Sequence, residues 1–155
     1  MGVSRIYLLR KVWFSCRYFV KSVILPSIVL FSAYASDGGL YVPEQLPQIS
    51  KEMLLSWKNH SFPQICAEIL HLFTDLGVEY LNEMTERAYS SFNDGIDPLP
   101  MTEIDGVIFL DASCGPTLAF KDIGQQMVAQ LMNYYLSKKN DKATIIVETS
   151  GTNHD

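Results

Sequence analysis

The titratable residue with the best setting for covalent chemistry is Lys121. It follows three apolar residues, Leu118-Ala119-Phe120, at the predicted start of a helix. An apolar surround lowers the pKa of a lysine and a helix N-terminus disfavours a cation, and both favour the neutral amine that forms Schiff bases. The alternative is an ordinary solvated lysine beside Asp122, the commoner state of lysines in proteins. On residue types and spacing alone, the solvated lysine is favoured.

A second candidate site is Ser150-Gly151-Thr152, which follows an apolar run. Backbone N–H groups and hydroxyls in such a segment bind anions when they stand at a helix N-terminus. The same three residues are equally typical of an ordinary turn. Cys114, before Gly115, has no neighbouring base, so a buried or incidental thiol is favoured over a nucleophile.

The elements around these residues predict an alternating α/β unit. Val107 to Leu110 is a compact β run after an Asp105-Gly106 turn, and the helical face from Asp122 to Leu136 is about four turns long. Ala143 to Val147 predicts a strand buried on both faces. This order favours a parallel sheet, in which ligands bind beyond the carboxyl ends of the strands. Both loops with candidate chemistry follow such ends.

Residues 31 to 97 predict a smaller, mainly helical domain in front of that unit. Its predicted elements are a turn, a short strand and three helices, at residues 37–39, 40–42, 50–57, 61–73 and 78–92. Ser61 is the expected N-cap of the second helix, and Pro63 suits its first turn. Asn93-Asp94-Gly95 is expected to end the third. Pro98 and Pro100 mark the expected boundary to a second domain over residues 98 to 155.

Charge and cysteine content exclude several classes of function. Residues 37 to 155 hold 7 Lys and Arg against 17 Asp and Glu, which disfavours nucleic-acid binding because that requires clustered cations. The three cysteines are far apart and the three histidines do not fall at zinc spacing. We therefore expect a reducing, cytoplasmic location, no disulfide framework and no metal.

Residues 1 to 30 form an atypical basic and apolar segment with several interpretations. Five cations without an acid, an apolar run from Ser22 to Phe31 and Ala33-Tyr34-Ala35 resemble a signal peptide or a mitochondrial presequence. The run is too short to span a membrane, which takes about 20 residues, and Pro26 interrupts it. An ordinary N-terminal segment, or an atypical one from splicing or an erroneous gene model, is favoured over secretion. Mitochondrial or membrane association through this segment is the alternative to a cytoplasmic location.

Two blocks of sequence resemble the threonine synthase family. The run from Gly115 to Asp122, G-P-T-L-A-F-K-D, is similar to the family's lysine motif H-G-P-T-x-A-F-K-D. The run from Phe31 to Glu44 is similar to the family's opening G-Y-A-S-D-G-G-L-Y-V-P-E. The resemblance covers about residues 28 to 151. It implies an N-terminal threonine-synthase-type domain followed by the first β-α-β portion of a fold-type-II pyridoxal-phosphate (PLP) domain.

The resemblance also implies a cofactor, a substrate and site residues. Lys121 would be the catalytic lysine that carries PLP and moves protons on the substrate, which reverses the preference for a solvated side chain. Phe120 and Asp122 would be cofactor-binding neighbours. Ser150 and Gly151 match the start of the family's S-G-D-T-G loop, which holds the substrate carboxylate, and Thr152 beside them would also be substrate-binding. The substrate would be O-phosphohomoserine, which loses phosphate to give threonine or a keto acid.

Departures from the family's pattern bear on activity. Ser113-Cys114 stand where the family has a bulky residue and histidine, and Thr152 replaces the aspartate of D-T-G. The S-T-R-G segment is not found in residues 1 to 30, and the glycine-rich phosphate loop and the pyridine-nitrogen partner would lie beyond residue 155. We therefore expect a truncated lyase with weak or no activity. The alternative is a noncatalytic interaction protein that associates with a full-length relative.

Overall fold

The computed structural model of the chain describes residues 6–9, 26–32, 34–35, 38–43 and 46–146. In chain order the elements are β1 Ile6–Leu9, α1 Pro26–Phe31, β2 Leu40–Pro43, α2 Lys51–Ser56, α3 Phe62–His71, α4 Val78–Tyr89, β3 Met101–Ile104, β4 Val107–Leu110 and α5 Asp122–Lys139. Within these ranges no helix is long and apolar enough to cross a membrane.

A two-stranded ladder joins the start of the chain to the first motif block. Strand β1 pairs antiparallel with β2, so that Ile6 lies opposite Pro43 and Leu9 opposite Leu40. Gly38, two residues before β2, has a φ of 79°, and its N–H donates to the Ala35 carbonyl at 2.8 Å. The predicted turn is confirmed at its two glycines. Strand β1, by contrast, lies in the segment for which the sequence predicted no strand.

The helix starts form as the sequence predicts. Ser50 Oγ accepts a hydrogen bond from the Met53 N–H at 3.2 Å and caps α2. Before α3, the Gln64 side chain accepts from the Ser61 N–H at 2.8 Å, and Pro63 is buried in the first turn. The two hydrogen bonds satisfy backbone N–H groups that a helix end leaves unpaired, and Pro63 fixes the direction in which the chain enters α3.

Helices α3, α4 and α5 enclose the core of the described structure. The buried members are Ala67, Leu76, Leu81, Met84, Ala88, Tyr89, Phe92 and Met127. The Tyr89 ring lies 4.9 Å from the Phe62 ring and 5.3 Å from the Phe92 ring, centroid to centroid. The helix predicted over residues 78–92 is confirmed as α4, but it ends at Tyr89 rather than just before Asn93. A short 3-10 helix follows, where Asn93 and Asp94 have φ values of 44° and 52°.

The prediction of parallel pairing for Val107–Leu110 is wrong within the described residues. This strand, β4, pairs antiparallel with β3, and Ile104 lies opposite Val107 across a two-residue turn. Asp105 and Gly106 have φ values of 50° and 76°, both left-handed as a tight hairpin turn requires. Two residues can join only antiparallel neighbours, since a parallel crossover needs a dozen or more.

The predicted buried strand from Ala143 to Val147 is also absent in its described part. Residues 143–146 have no regular structure, and Ile145 and Ile146 are 65% and 92% exposed. A strand takes its backbone hydrogen bonds from a neighbour, and no strand in the described ranges lies beside this run. Val147 lies outside the described residues.

Candidate functional site

Lys121 stands where the loop after β4 enters α5. Its backbone is already helical, with φ −61° and ψ −28°, and its carbonyl accepts from the Gln125 N–H at 3.0 Å. The side chain is exposed. The backbone is therefore fixed, while the amine can reach solvent or a bound molecule.

One buried carboxylate closes the loop in front of Lys121. Asp122 is 2% exposed, and its two oxygens accept from the Thr117 N–H at 2.8 Å and the Thr117 hydroxyl at 2.7 Å. Both bonds are charge-assisted and span five residues, so they hold the loop as a closed unit. The Asp122 oxygens thus point into the loop. The cofactor-binding role that the motif implies for this residue stays a prediction.

The closeness of this packing explains Gly115. A Cβ added at Gly115 would lie 2.5 Å from the Asp122 Cβ and 2.8 Å from its Cγ, well inside van der Waals contact. The Gly115 carbonyl also accepts from the Leu118 N–H at 3.0 Å. Leu118 itself has a φ of 59°, a left-handed conformation that costs a non-glycine residue about 1–2 kcal/mol. The sequence G-P-T-L therefore forms one tight turn.

Contacts with the core fix the position of the loop. The Cys114 carbonyl accepts from the Asn93 N–H at 2.9 Å, and the Pro100 carbonyl accepts from the Asp111 N–H at 3.0 Å. Tyr89 donates its hydroxyl to the Ile123 carbonyl at 3.1 Å, which ties the first turn of α5 to α4. Tyr89 lies in the helix predicted over residues 78–92, and no sequence pattern indicates this polar contact.

Large apolar side chains are exposed in the chain that leads to Lys121. Leu118 and Phe120 are 75% and 69% exposed. All ten residues of the preceding hairpin, 101–110, are exposed, and its large apolar side chains are Met101, Ile104, Val107, Ile108, Phe109 and Leu110. Large exposed apolar patches mark sites of interaction or ligand binding. Phe120, which the motif places beside the cofactor, is therefore free to contact one.

Cys114 has the surroundings of a poor nucleophile. Desolvation and the neighbouring Asp111 carboxylate raise the pKa of the Cys114 thiol above its usual value. Hydrogen bonds from the Ser113 hydroxyl and N–H in turn lower the pKa of Asp111. Because the thiolate is the reactive form, Cys114 stays largely protonated near neutral pH. This geometry supports the interpretation of an incidental thiol.

The described residues fit covalent attachment of PLP but offer no obvious phosphate contact at α5. The first two N–H groups of the helix, from Asp122 and Ile123, already donate to the Ala119 and Phe120 carbonyls at 3.0 and 3.3 Å. The predicted substrate loop, Ser150, Gly151 and Thr152, lies outside the described residues. Among the residues that are described, no group of three His, Cys, Asp or Glu is placed to hold a metal ion.

Comparison with known proteins points to one family. A family profile described as Threonine synthase N terminus matches residues 13–89. Threonine synthase-like 2 of Xenopus laevis is 37% identical over 127 residues, covering 79% of this chain and 27% of that protein. Threonine synthase of Corynebacterium glutamicum is 38% identical over 133 residues, covering 81% of this chain and 27% of that protein.

A solved structure shows the same relationship in three dimensions. The PLP-bound threonine synthase from Brucella melitensis matches with a TM-score of 0.70 and 30% identity, covering 77% of this chain and 26% of that one. The chain thus spans about a quarter of the length of the relatives it matches. The fold class is confirmed as the N-terminal part of such a protein, and the resemblance seen in two motif blocks is confirmed over most of the chain. On the evidence of this matched region, the chain belongs to the threonine synthase family.

Proposed function

We propose that this chain serves PLP-dependent elimination of phosphate from O-phosphohomoserine, with Lys121 as the lysine that carries the cofactor. The observation that supports this most directly is the loop geometry around Lys121. Asp122 and Thr117 close the motif loop, and the exposed amine stands on a fixed backbone beside apolar Leu118 and Phe120. A rigid support of this kind is what precise covalent chemistry requires.

Each residue of the loop has a defined task in this proposal. PLP, when bound, draws electrons away from the substrate carbon next to the amino group and so eases loss of a proton there. The Lys121 amine accepts that proton and returns it to a neighbouring carbon. Phe120 and Leu118 cover the cofactor with apolar surface and keep water away. Asp122 acts through the loop by positioning the Lys121 backbone.

The proposal concerns the reaction of the family, and the chain spans about a quarter of the length of the relatives it matches. The product of that reaction is either threonine or a keto acid.

Covalent trapping tests the role of Lys121 without depending on turnover. The chain is incubated with PLP, reduced with borohydride and digested, and peptides are analysed by mass spectrometry. We expect the added pyridoxyl mass on the peptide that contains Lys121, with loss of the visible absorbance in Lys121→Ala. The control Lys142→Ala removes an exposed lysine beyond the far end of α5. Equal labelling and spectra in both variants would exclude a specific cofactor lysine.

A second candidate function is a noncatalytic interaction protein that binds a full-length relative. The observation that favours it is the exposed apolar hairpin of β3 and β4. Burying such a surface against another protein is favourable. Because the sheet has only these two strands within the described residues, each strand also has an outer edge that can pair with another chain.

Co-elution tests this candidate directly. The chain is mixed with a full-length threonine synthase, separated by size-exclusion chromatography and compared with an Ile108→Lys, Phe109→Lys variant. We expect co-elution of the unmodified chain and none of the double variant. Absence of a shared peak for the unmodified chain would exclude the interaction, whatever the result for PLP.

The proposal places the protein in the cytoplasm, with mitochondrial or membrane association through residues 1–30 as the alternative. A fluorescent fusion at the C-terminus, imaged with and without residues 1–30, tells these apart. A diffuse signal in both forms supports the cytoplasm, and a localised signal that disperses on deletion supports targeting by the segment.

A further inference from the structure

A polar groove lies between α4 and the second half of α5, away from the Lys121 loop. It has a volume of about 310 Å³ and is lined by Tyr80, Arg87, Gln130, Asn133, Tyr134, Ser137 and Lys138. The α5 members recur every three or four residues and so occupy one face of the helix. Lys121, at the start of α5, is 9 residues before Gln130 and 17 before Lys138, about 13 and 25 Å along the helix axis at the usual rise.

The lining of the groove carries only positive charge. Arg87 and Lys138 are its two charged members, and the other five side chains all bear a hydrogen-bond donor. No ion pair involving Arg87 or Lys138 is found within the described residues. Since the whole chain has a net charge of −5, this is a local feature rather than part of a general positive field.

Aromatic contacts hold the groove in shape. The Tyr80 and Tyr134 rings meet across the two helices at 5.2 Å, and the Lys138 Nζ lies 4.5 Å above the Tyr134 ring. The hydrogen bond with Tyr134 and the nearby Asp75 carboxylate contribute to a raised pKa of Lys138, which therefore stays charged at neutral pH. Asp75 does not line the groove and leaves it cationic.

We propose that this groove is a binding site for a phosphoryl dianion, in which Arg87 and Lys138 neutralise the charge. The planar Arg87 guanidinium presents paired donors that match phosphate oxygens, and Lys138 supplies a mobile point charge. Gln130, Asn133 and Ser137 offer neutral donors to the remaining oxygens. The group belongs to inorganic phosphate or to a phosphomonoester, and Tyr80 offers an aromatic face to the organic part of an ester.

Titration of the full chain followed by NMR tests the site and identifies the source of the phosphoryl group. Inorganic phosphate and phenyl phosphate are the two probes, at constant ionic strength set with chloride. We expect saturable shifts at residues 80–87 and 130–138 with at least one probe, and tighter binding by phenyl phosphate if the ligand is an ester. Arg87→Gln and Lys138→Gln should each weaken binding about tenfold through loss of one charge-assisted contact.

A matched control separates the groove from net charge. Lys139→Gln removes the same charge one residue along, from a side chain that does not line the groove; it should change the affinity by less than about twofold. Arg87→Lys, which keeps the charge but loses the fork, should lie between Arg87→Gln and the unmodified chain. No saturable shift with either probe, or equal weakening by Lys139→Gln, would overturn the proposal. Lys121→Ala should leave binding here unchanged, so this test is independent of the cofactor.

Discussion

The buried carboxylate of Asp122 offers the sharpest test of how the motif loop is held. Replacing it with alanine removes the acceptor for both the N–H and the hydroxyl of Thr117, at 2.8 and 2.7 Å. The change also leaves a small void beside Gly115, which packs directly against the Asp122 side chain. We expect a large loss of stability from one side chain on the first turn of a helix.

The magnitude follows from the two bonds. A hydrogen bond to a charged group contributes about 1.5–3 kcal/mol, so two give an upper range of about 3–6 kcal/mol. Thr117 is partly exposed, and water can replace some of what it loses. We therefore expect the free energy of unfolding to fall by about 3 kcal/mol in Asp122→Ala, and by about 1–1.5 kcal/mol in Thr117→Val, which removes only the hydroxyl bond.

Urea unfolding measures both values if the slope against denaturant is unchanged, because the midpoint shift then reports stability alone. The double variant should cost less than the sum of the two single changes, since both remove the same hydroxyl bond. Asp141→Ala is the control: this exposed carboxylate bonds only the adjacent Lys142 N–H in the described structure, and its loss should stay within about 0.5 kcal/mol. A loss below about 1 kcal/mol for Asp122→Ala, or strict additivity with Thr117→Val, would refute the proposed closure.

Three further predictions concern the same region and its support. Gly115→Ala should lower the free energy of unfolding by about 1–3 kcal/mol, because the new Cβ overlaps Asp122; an unchanged urea midpoint would contradict this. Leu118→Gly should raise it by about 0.5–1 kcal/mol, because glycine relieves the left-handed strain of an exposed residue; a lowered midpoint would contradict this. Burial raises the pKa of Tyr89 above its ordinary value near 10, with a further contribution from Cys66. The unfolded chain therefore loses this proton first, stability falls as pH rises above about 10, and Tyr89→Phe should flatten that fall in urea midpoints measured between pH 8 and 11.

Features encoded by a few neighbouring residues could be predicted from the sequence. The caps at Ser50 and Ser61 depend on residues three positions away, and the structure shows both contacts. The Asp105-Gly106 turn has the left-handed φ values that this pair favours. Local backbone chemistry decides these features, and the rest of the fold has little influence on them.

Strand pairing is harder to predict. It depends on residues far apart in the sequence, or on an adjacent strand whose apolar alternation is too weak to recognise. Strand β3, M-T-E-I, lacks a strong apolar alternation, so the sequence predicts the Asp105-Gly106 turn and the strand after it but not the strand before it. Ala143 to Ile146 is apolar enough for a buried strand, yet it is exposed where no described strand stands beside it. Hydrophobicity indicates that a segment can be buried, and only a partner decides whether it is.

The candidate site was also predictable only in part. The motif identified Lys121, and its exposure on a fixed backbone agrees with the role expected of it. The motif did not reveal that Asp122 turns inward to Thr117, because sequence neighbours alone do not give a direction to a side chain. The spacing of Gly115 seven residues before Asp122 could have suggested close packing, since glycine is required where another group approaches the backbone.

PLP labelling of Lys121, measured in a complex that covers the exposed hairpin, distinguishes the two candidate functions. The hairpin's six large apolar side chains are 55–69% exposed, so full burial would contribute about 1–2 kcal/mol each, together comparable to the cost of about 4–15 kcal/mol for association. A partner that covers the hairpin can therefore bind with either function. A lyase requires that the covering polypeptide leave a pocket over Lys121 and Phe120, so that PLP still labels Lys121 in the complex. A noncatalytic binder has no such requirement, so continued labelling of Lys121 by PLP in the complex would favour the lyase.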